Sequence, residues 1–272
     1  MRVRVEWGEL RARVFSGLVG ASLAAFLFWM SGYALGSLVC RFGIRLLAWG
    51  ATYELVRMTQ IVYKDLIHPS FHLLLSIFFF VCVDFLPSLS LALLSAISLI
   101  SVLIFFDPFS AFIRLSSSLL IFLYVHFPIA LFEQLLEDKL PHGRWWVLYL
   151  LLVAKGSDTG AYFSGKHFGK QLIAPRVSPN KTVVGVVGGM VFATVLALFL
   201  CLFTTPPWSG SVLTFCAPGV ALFAQFGDLI ESSFKRSCGV RSSGSFSGMG
   251  GILDMLDSVL MVCPLIYALA CL

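Results

Sequence analysis

The residues best suited to chemistry in this 272-residue chain collect between Gly227 and Ser258, GDLIESSFKRSCGVRSSGSFSGMGGILDMLDS. Three aspartates, one glutamate, three basic residues and six glycines stand there between two strongly apolar runs. Read as helix, Asp228, Glu231, Ser232 and Lys235 fall at i, i+3, i+4 and i+7 and make one polar stripe. Asp254, Asp257 and Ser258 make a matching stripe at the start of the next apolar run. The Gly/Ser-rich stretch from Cys238 to Gly251 has too few apolar residues to build a core of its own. Facing stripes of hard carboxylates suit Mg²⁺, which takes oxygen ligands and keeps waters or substrate phosphates. Lys235 and Arg236 could neutralise phosphate charge. A salt-bridged pair of helix ends is the plainer use of the same residues.

Two upstream groups add to this set. In AKGSDTGAYFSGKHFGK, Lys155 and Asp158 are three apart and share a helix face. They make either an internal ion pair or, with Asp158, the mouth of a polar cavity, while Gly156, Gly160, Gly165 and Gly169 permit close packing. Lys166 and Lys170 fall on the flanking surface. In RVSPNKTVVG, Ser178-Pro179 predicts a turn, and Lys181-Thr182 opens the following helix. Hydroxyls, backbone N–H groups and positive charge at a helix start suit phosphate oxygens. An N-cap followed by an anchoring lysine explains the segment equally well.

Other reactive residue types carry less. The seven cysteines are scattered without metal-ligand spacing and read as packing residues. His68 and His72 are i, i+4, but no carboxylate motif accompanies them. Glu54, in ATYELVRM, is an isolated carboxylate.

The elements that must position these residues are membrane spans. The chain is 58% hydrophobic, only 12% charged, and has a mean hydropathy of +0.92. Soluble domains are nearer 45–50% apolar, with about a quarter of residues charged. The expected fold is all-α, a polytopic transmembrane bundle of about nine spans. They run roughly Val14–Met30, Tyr33–Trp49, Phe71–Pro87, Leu89–Phe106, Phe112–Phe132, Trp145–Gly165, Val183–Phe203, Val212–Ser233 and Ile252–Leu272. Arg41 and Arg45 interrupt the second. The first lacks the cleavage site of a signal peptide. Residues 1–140 read as an N-terminal transmembrane scaffold and 141–272 as the catalytic region, within one integral membrane unit.

Basic residues set the expected orientation. Arg2, Arg4, Arg11 and Arg13, then Arg57 and Lys64, then Lys166, Lys170, Arg176 and Lys181, then Lys235, Arg236 and Arg241 all fall on one side of a nine-span chain. That side is the cytoplasm, and the C-terminus faces away from it. The net charge of +5 is mostly this bias. No nucleic-acid-binding motif accompanies it.

Taken together, these segments resemble the phosphatidate cytidylyltransferases (CDP-diacylglycerol synthases). The family pattern S-x-x-K-R, four residues, K-D, then H-G-G-x-x-D-R-x-D is similar to Ser232–Arg236, Arg241-Ser242 and Met249–Asp257. Gly227–Ser232 matches G-D-L-x-E-S, Asp158–Lys166 matches D-T-G-A-Y-F-x-G-K, and Ser178–Thr182 matches S-P-x-K-T. The similarity covers most of Lys155–Ser258 in the family's order. Departures stand at Val184 (family Glu), Arg241-Ser242 (Lys-Asp), Met249 (His) and Met255 (Arg).

The resemblance implies transfer of CMP from CTP to phosphatidic acid, giving CDP-diacylglycerol and pyrophosphate. In it Asp228, Asp254 and Asp257 would hold one or two Mg²⁺ ions and, with Lys235 and Arg236, form the catalytic set. Asp158, Lys166, Ser178, Lys181, Thr182, Ser232 and Arg241 would contact CTP or the lipid phosphate. It further implies a bacterial inner membrane with the site facing the cytoplasm, membrane lipids as surroundings, and a homodimer among the allowed assemblies. The competing readings are a catalytically weak or inactive relative and a membrane transporter.

Overall fold

A computed structural model describes residues 34–63, 69–85, 108–137, 140–240 and 251–272. The expected spans Val14–Met30 and Leu89–Phe106 lie outside the described residues, as do Arg241, Ser242 and Met249. The described residues are mostly helical, with one short hairpin and brief connecting turns. In chain order the helices are α1 (Ala34–Val62), α2 (Pro69–Phe85), α3 (Pro108–Ile121), a π turn (Phe122–His126), α4 (Phe127–Leu136), α5 (Gly143–Phe168), α6 (Val183–Phe203), α7 (Gly210–Ser237) and α8 (Ile252–Ala270). The hairpin, β1 (Leu172–Ala174) and β2 (Ser178–Thr182), lies between α5 and α6.

Among the described residues, four helical stretches are long and apolar enough to cross a membrane: Leu115–Leu136, Val183–Phe203, Gly210–Ser237 and Ile252–Ala270. The first runs unbroken through α3, the π turn and α4. Each corresponds to an expected span. With α6 exposing Val187, Val191, Val195, Phe199 and Leu202 along one side, the molecule has the surface of an integral membrane protein.

Two elements differ from the reading of the sequence. The segment expected to end at Trp49 is helical on to Val62. No Gly or Pro breaks ATYELVRMTQ, and its continuation buries Ala51, Thr52, Leu55 and Val56. Arg41 and Arg45 do not interrupt this helix, because acidic partners take up their charge. Arg45 makes a two-pronged contact with Glu133 at 2.9 Å and reaches Asp84 at 2.7 Å. Arg41 pairs with Glu137 and Asp84.

The second difference is the antiparallel β1–β2 hairpin in an otherwise all-α fold. Ser178-Pro179 lies in a strand, not in a turn. The turn comes earlier, at Ala174-Pro175-Arg176-Val177, where Val177 N–H donates to Ala174 O at 3.1 Å. Pro175 has the fixed φ that position i+1 of such a turn needs. Two strands tolerate Pro179, since each has an edge that makes no ladder bonds.

The core joins both halves of the chain. One apolar cluster packs Cys40, Leu131 and Leu135 with Trp146, Leu150, Ala193, Ala221 and Val262. The other packs Leu55, Phe80 and Ile129 with Leu253 and Leu260. Helices α5 and α6 approach especially closely. A Cβ at Gly160 would lie 2.9 Å from Gly188 O, and one at Gly189 would lie 2.7 Å from Ser157 O. Neither position admits a side chain without separating the two helices.

Candidate active site

The C-terminal end of α5, the N-terminal end of α6, the C-terminal end of α7 and the N-terminal end of α8 meet at one end of the bundle. This follows from chain direction, since α5–α6 and α7–α8 are each joined across that end. Helix α7 has 28 residues, so at 1.5 Å per residue it is about 42 Å long. That exceeds a hydrocarbon core of about 30 Å. The helix is thus long enough for its polar last turns, with Asp228, Glu231 and Lys235, to reach the apolar boundary, where ionisable groups cost less.

Six side chains converge there. Asp228 on α7 and Asp257 on α8 bring their carboxylates within hydrogen-bonding reach of each other. Two carboxylates so placed share a proton or a cation, because both cannot ionise unaided. Lys181, at the end of β2, pairs with Asp228 at 2.7 Å and donates to Gln225 O at 3.0 Å. From α5, Lys155 donates to Ser258 Oγ at 2.8 Å, and the Ser258 hydroxyl lies 3.1 Å from Asp158 Oδ2. The direct Lys155–Asp158 pair is longer, at 3.5 Å. Asp257 is fixed by its neighbour, whose N–H donates to Oδ1 at 2.6 Å.

A second group lies beside the first. Lys235, buried on α7, pairs with Glu231 at 2.7 Å and with Asp254 on α8. Asp254 also accepts the Gly251 N–H at 2.9 Å and so closes the start of α8. The three expected metal aspartates are thus divided. Asp228 and Asp257 meet, while Asp254 is bound to Lys235 and to a backbone amide. Among the described residues, no three His, Cys, Asp or Glu side chains form a preformed metal cage.

The remaining expected residues have varied placements. Thr182 caps α6 by accepting the Gly185 N–H at 3.1 Å. Arg236 donates to Val177 O at 3.1 Å and ties the hairpin turn to the end of α7. Lys166 turns back over Tyr162, 3.3 Å from its hydroxyl, and stays apart from the cluster. Ser178 opens β2 opposite Ala174, and Ser232 is half-buried one turn beyond Asp228. Arg241 lies outside the described residues.

Several residues gain importance only from the structure. Gln225 is buried and donates to Ser157 Oγ at 2.8 Å and to Val186 O at 3.3 Å, linking α7 to α5 and α6 beneath the site. Tyr124, on the π turn, packs edge-on against Phe234 of α7 at 5.4 Å. A lone Gln in an apolar run and a Tyr far upstream gave no local motif. The uncommon polar residue inside an apolar run was the available signal for Gln225.

The description "cytidylyltransferase family" matches residues 11–272. This chain belongs to that family. The phosphatidate cytidylyltransferase of Bacillus subtilis is 31% identical over 277 residues, covering 96% of this chain and 97% of that protein. That of Chlamydia muridarum is 39% identical over 157 residues, covering 54% of this chain and 52% of its own length. A Staphylococcus aureus relative of the same name is 41% identical over 128 residues, 47% of this chain and 49% of that protein. The chain thus spans about half the length of the chlamydial relatives and nearly all of the Bacillus one.

Proposed function

We propose that this family member is a phosphatidate cytidylyltransferase, transferring CMP from CTP to phosphatidic acid. The observation that carries the reading is the meeting of Asp228 and Asp257, with Lys181, Lys155 and Asp158 around them. Family membership and the names of the relatives support the same activity.

The donor set favours Mg²⁺. Magnesium is usually held by one or two carboxylates together with substrate phosphates and waters, seldom by an all-protein cage. Asp228 and Asp257 would supply the carboxylates, with Asp158 close by through Ser258. Asp254 is the weakest of the expected ligands, because Lys235 and Gly251 already engage both of its oxygens. When bound, the metal would offset triphosphate charge and polarise the α-phosphoryl group.

In the transfer, a phosphatidate phosphate oxygen attacks the α-phosphorus of CTP. One P–O bond forms, the bond to the β-phosphate oxygen breaks, and pyrophosphate leaves with its electron pair. The acceptor is already an oxyanion, so no covalent enzyme nucleophile is required. The protein's task is positioning and charge neutralisation. Lys181 and Lys155 would take phosphate oxygens by exchanging their carboxylate partners for the substrate. Arg236, with Ser178 and Thr182, would border the entrance.

A site at one end of the bundle suits two substrates of opposite solubility. Acyl chains stay among the lipids while CTP arrives from water. The basic loops favour about nine spans in a bacterial inner membrane, with this end in the cytoplasm. Purified protein given radiolabelled CTP, phosphatidate vesicles and Mg²⁺ should form a lipid-extractable cytidine nucleotide. Label remaining wholly in the aqueous phase would sink the enzymatic reading. Ion-dependent uptake into proteoliposomes without CTP turnover would favour a transporter.

A further inference from the structure

Glu54 stands outside every motif of the C-terminal half, yet it touches the helix that carries Asp254 and Asp257. It lies on α1 and is 8% exposed. Its two carboxylate oxygens separately accept the backbone N–H groups of Ile252, at 2.9 Å, and Leu253, at 3.0 Å. These are the first two residues of α8. One turn earlier on the same face of α1, Gly50 makes room for the Ile252 side chain, whose Cδ1 occupies the space a Cβ would need. Helix α1 therefore grips the start of α8 at two adjacent points.

A helix start leaves four N–H groups without intrahelical partners, and an N-cap side chain normally takes one of them. Here the N-cap is Gly251, which has no side chain to offer. The work falls to two carboxylates. Asp254 folds back onto the Gly251 N–H, and Glu54 reaches from another helix to the next two. Both also place negative charge at the positive end of the α8 dipole. Asp254 follows Leu253 directly, and Asp257 comes one turn later, where it meets Asp228.

We propose that Glu54 is a positioning residue for cytidylyl transfer. By fixing the first turn of α8, it sets where Asp257 meets Asp228 and where Asp254 meets Lys235. This rests on the site reading above. Misplacement of reacting groups by about 1 Å costs on the order of 10²-fold in rate. A freed first turn of α8 is a direct route to such an error.

The test compares full-length wild type with Glu54→Ala and Glu54→Gln in detergent. Turnover is measured with CTP, phosphatidate and varied Mg²⁺, and hydrogen exchange is followed across residues 251–257. Glu54→Ala should lower kcat per folded molecule by about 10- to 100-fold and raise the Mg²⁺ needed for half-maximal rate. Exchange should quicken at Ile252 and Leu253 while α5 and α6 stay protected. Glu54→Gln, which keeps the volume and one acceptor, should fall between wild type and Glu54→Ala, and it carries the test if Glu54→Ala fails to fold. An inactive wild type would overturn the site reading itself. An active wild type with kcat and Mg²⁺ requirement unchanged in both variants would overturn the positioning role alone. Faster exchange with unchanged kcat would do the same, reducing Glu54 to a helix cap.

Discussion

The contact between Asp228 and Asp257 is the residue pair on which the proposed chemistry depends. Two carboxylates in contact oppose each other unless something positive or a proton stands between them. Replacing one by its amide should remove that opposition. Asp257→Asn is therefore expected to match or exceed wild type in melting temperature while turnover falls by about 10²-fold or more, as when a group acting on transition-state charge is lost. Thermal unfolding and the CTP assay on the same preparation check both halves. Lys181→Met should leave the fold intact and raise KM for CTP about tenfold, since it deletes one charge-assisted contact to phosphate. The sequence pointed to Asp228, Asp257 and Lys181 by residue type and spacing. It pointed to their grouping only through the family resemblance, because all of α6 and most of α7 lie between Lys181 and Asp228. Glu54 was harder still. Its partners are backbone amides about two hundred residues away, with |i−j| of 198 and 199, and amides leave no mark on a sequence.

At the scale of elements, α5 and α6 form the closest pair and carry one wall of the site. Gly160 and Gly189 allow that approach because an added Cβ would lie 2.9 Å from the backbone Gly188 O at the first and 2.7 Å from the backbone Ser157 O at the second. Gly160→Leu should lower stability by about 1–3 kcal/mol or prevent folding, as overpacking a tight interface does. The signal in a thermal melt should exceed that of Gly219→Leu, since nothing lies within 4 Å of a Cβ at Gly219. Helices such as α6 and α8 were legible because their apolar runs have the length a bilayer demands. The extension of α1 past Trp49 was not, since Glu54 and Arg57 look like loop residues until Glu54 is seen against the start of α8. The β1–β2 hairpin escaped for a similar reason. Pro175 and Pro179 are both turn formers, and only the Val177–Ala174 bond distinguishes the one that turns the chain.

At the scale of the whole molecule, charge is sorted between the two ends of the bundle. The candidate site lies where α1 ends and α8 begins. Arg41 and Arg45, with Asp84, Glu133 and Glu137, lie toward the start of α1. Glu54 is nine residues beyond Arg45 on one continuous helix, a rise of about 14 Å. The distal network pairs within itself, Arg45 with Asp84 and Glu133, and Arg41 with Asp84 and Glu137. A reporter inserted after Gln171 should read out in the cytoplasm, and one fused after Leu272 should read out across the membrane, since the three helices α6, α7 and α8 lie between them. Both reporters on one side would contradict that topology.

The Mg²⁺ dependence of CTP turnover with phosphatidate, compared in wild type, Asp228→Asn and Asp257→Asn, tests the paired aspartates directly. Wild type should form CDP-diacylglycerol and pyrophosphate only when Mg²⁺ is supplied. Both variants should lose this activity by about 10²-fold or more while remaining folded. Either variant turning over CTP at the wild-type rate, with the wild-type Mg²⁺ requirement, would contradict the proposed role of the pair.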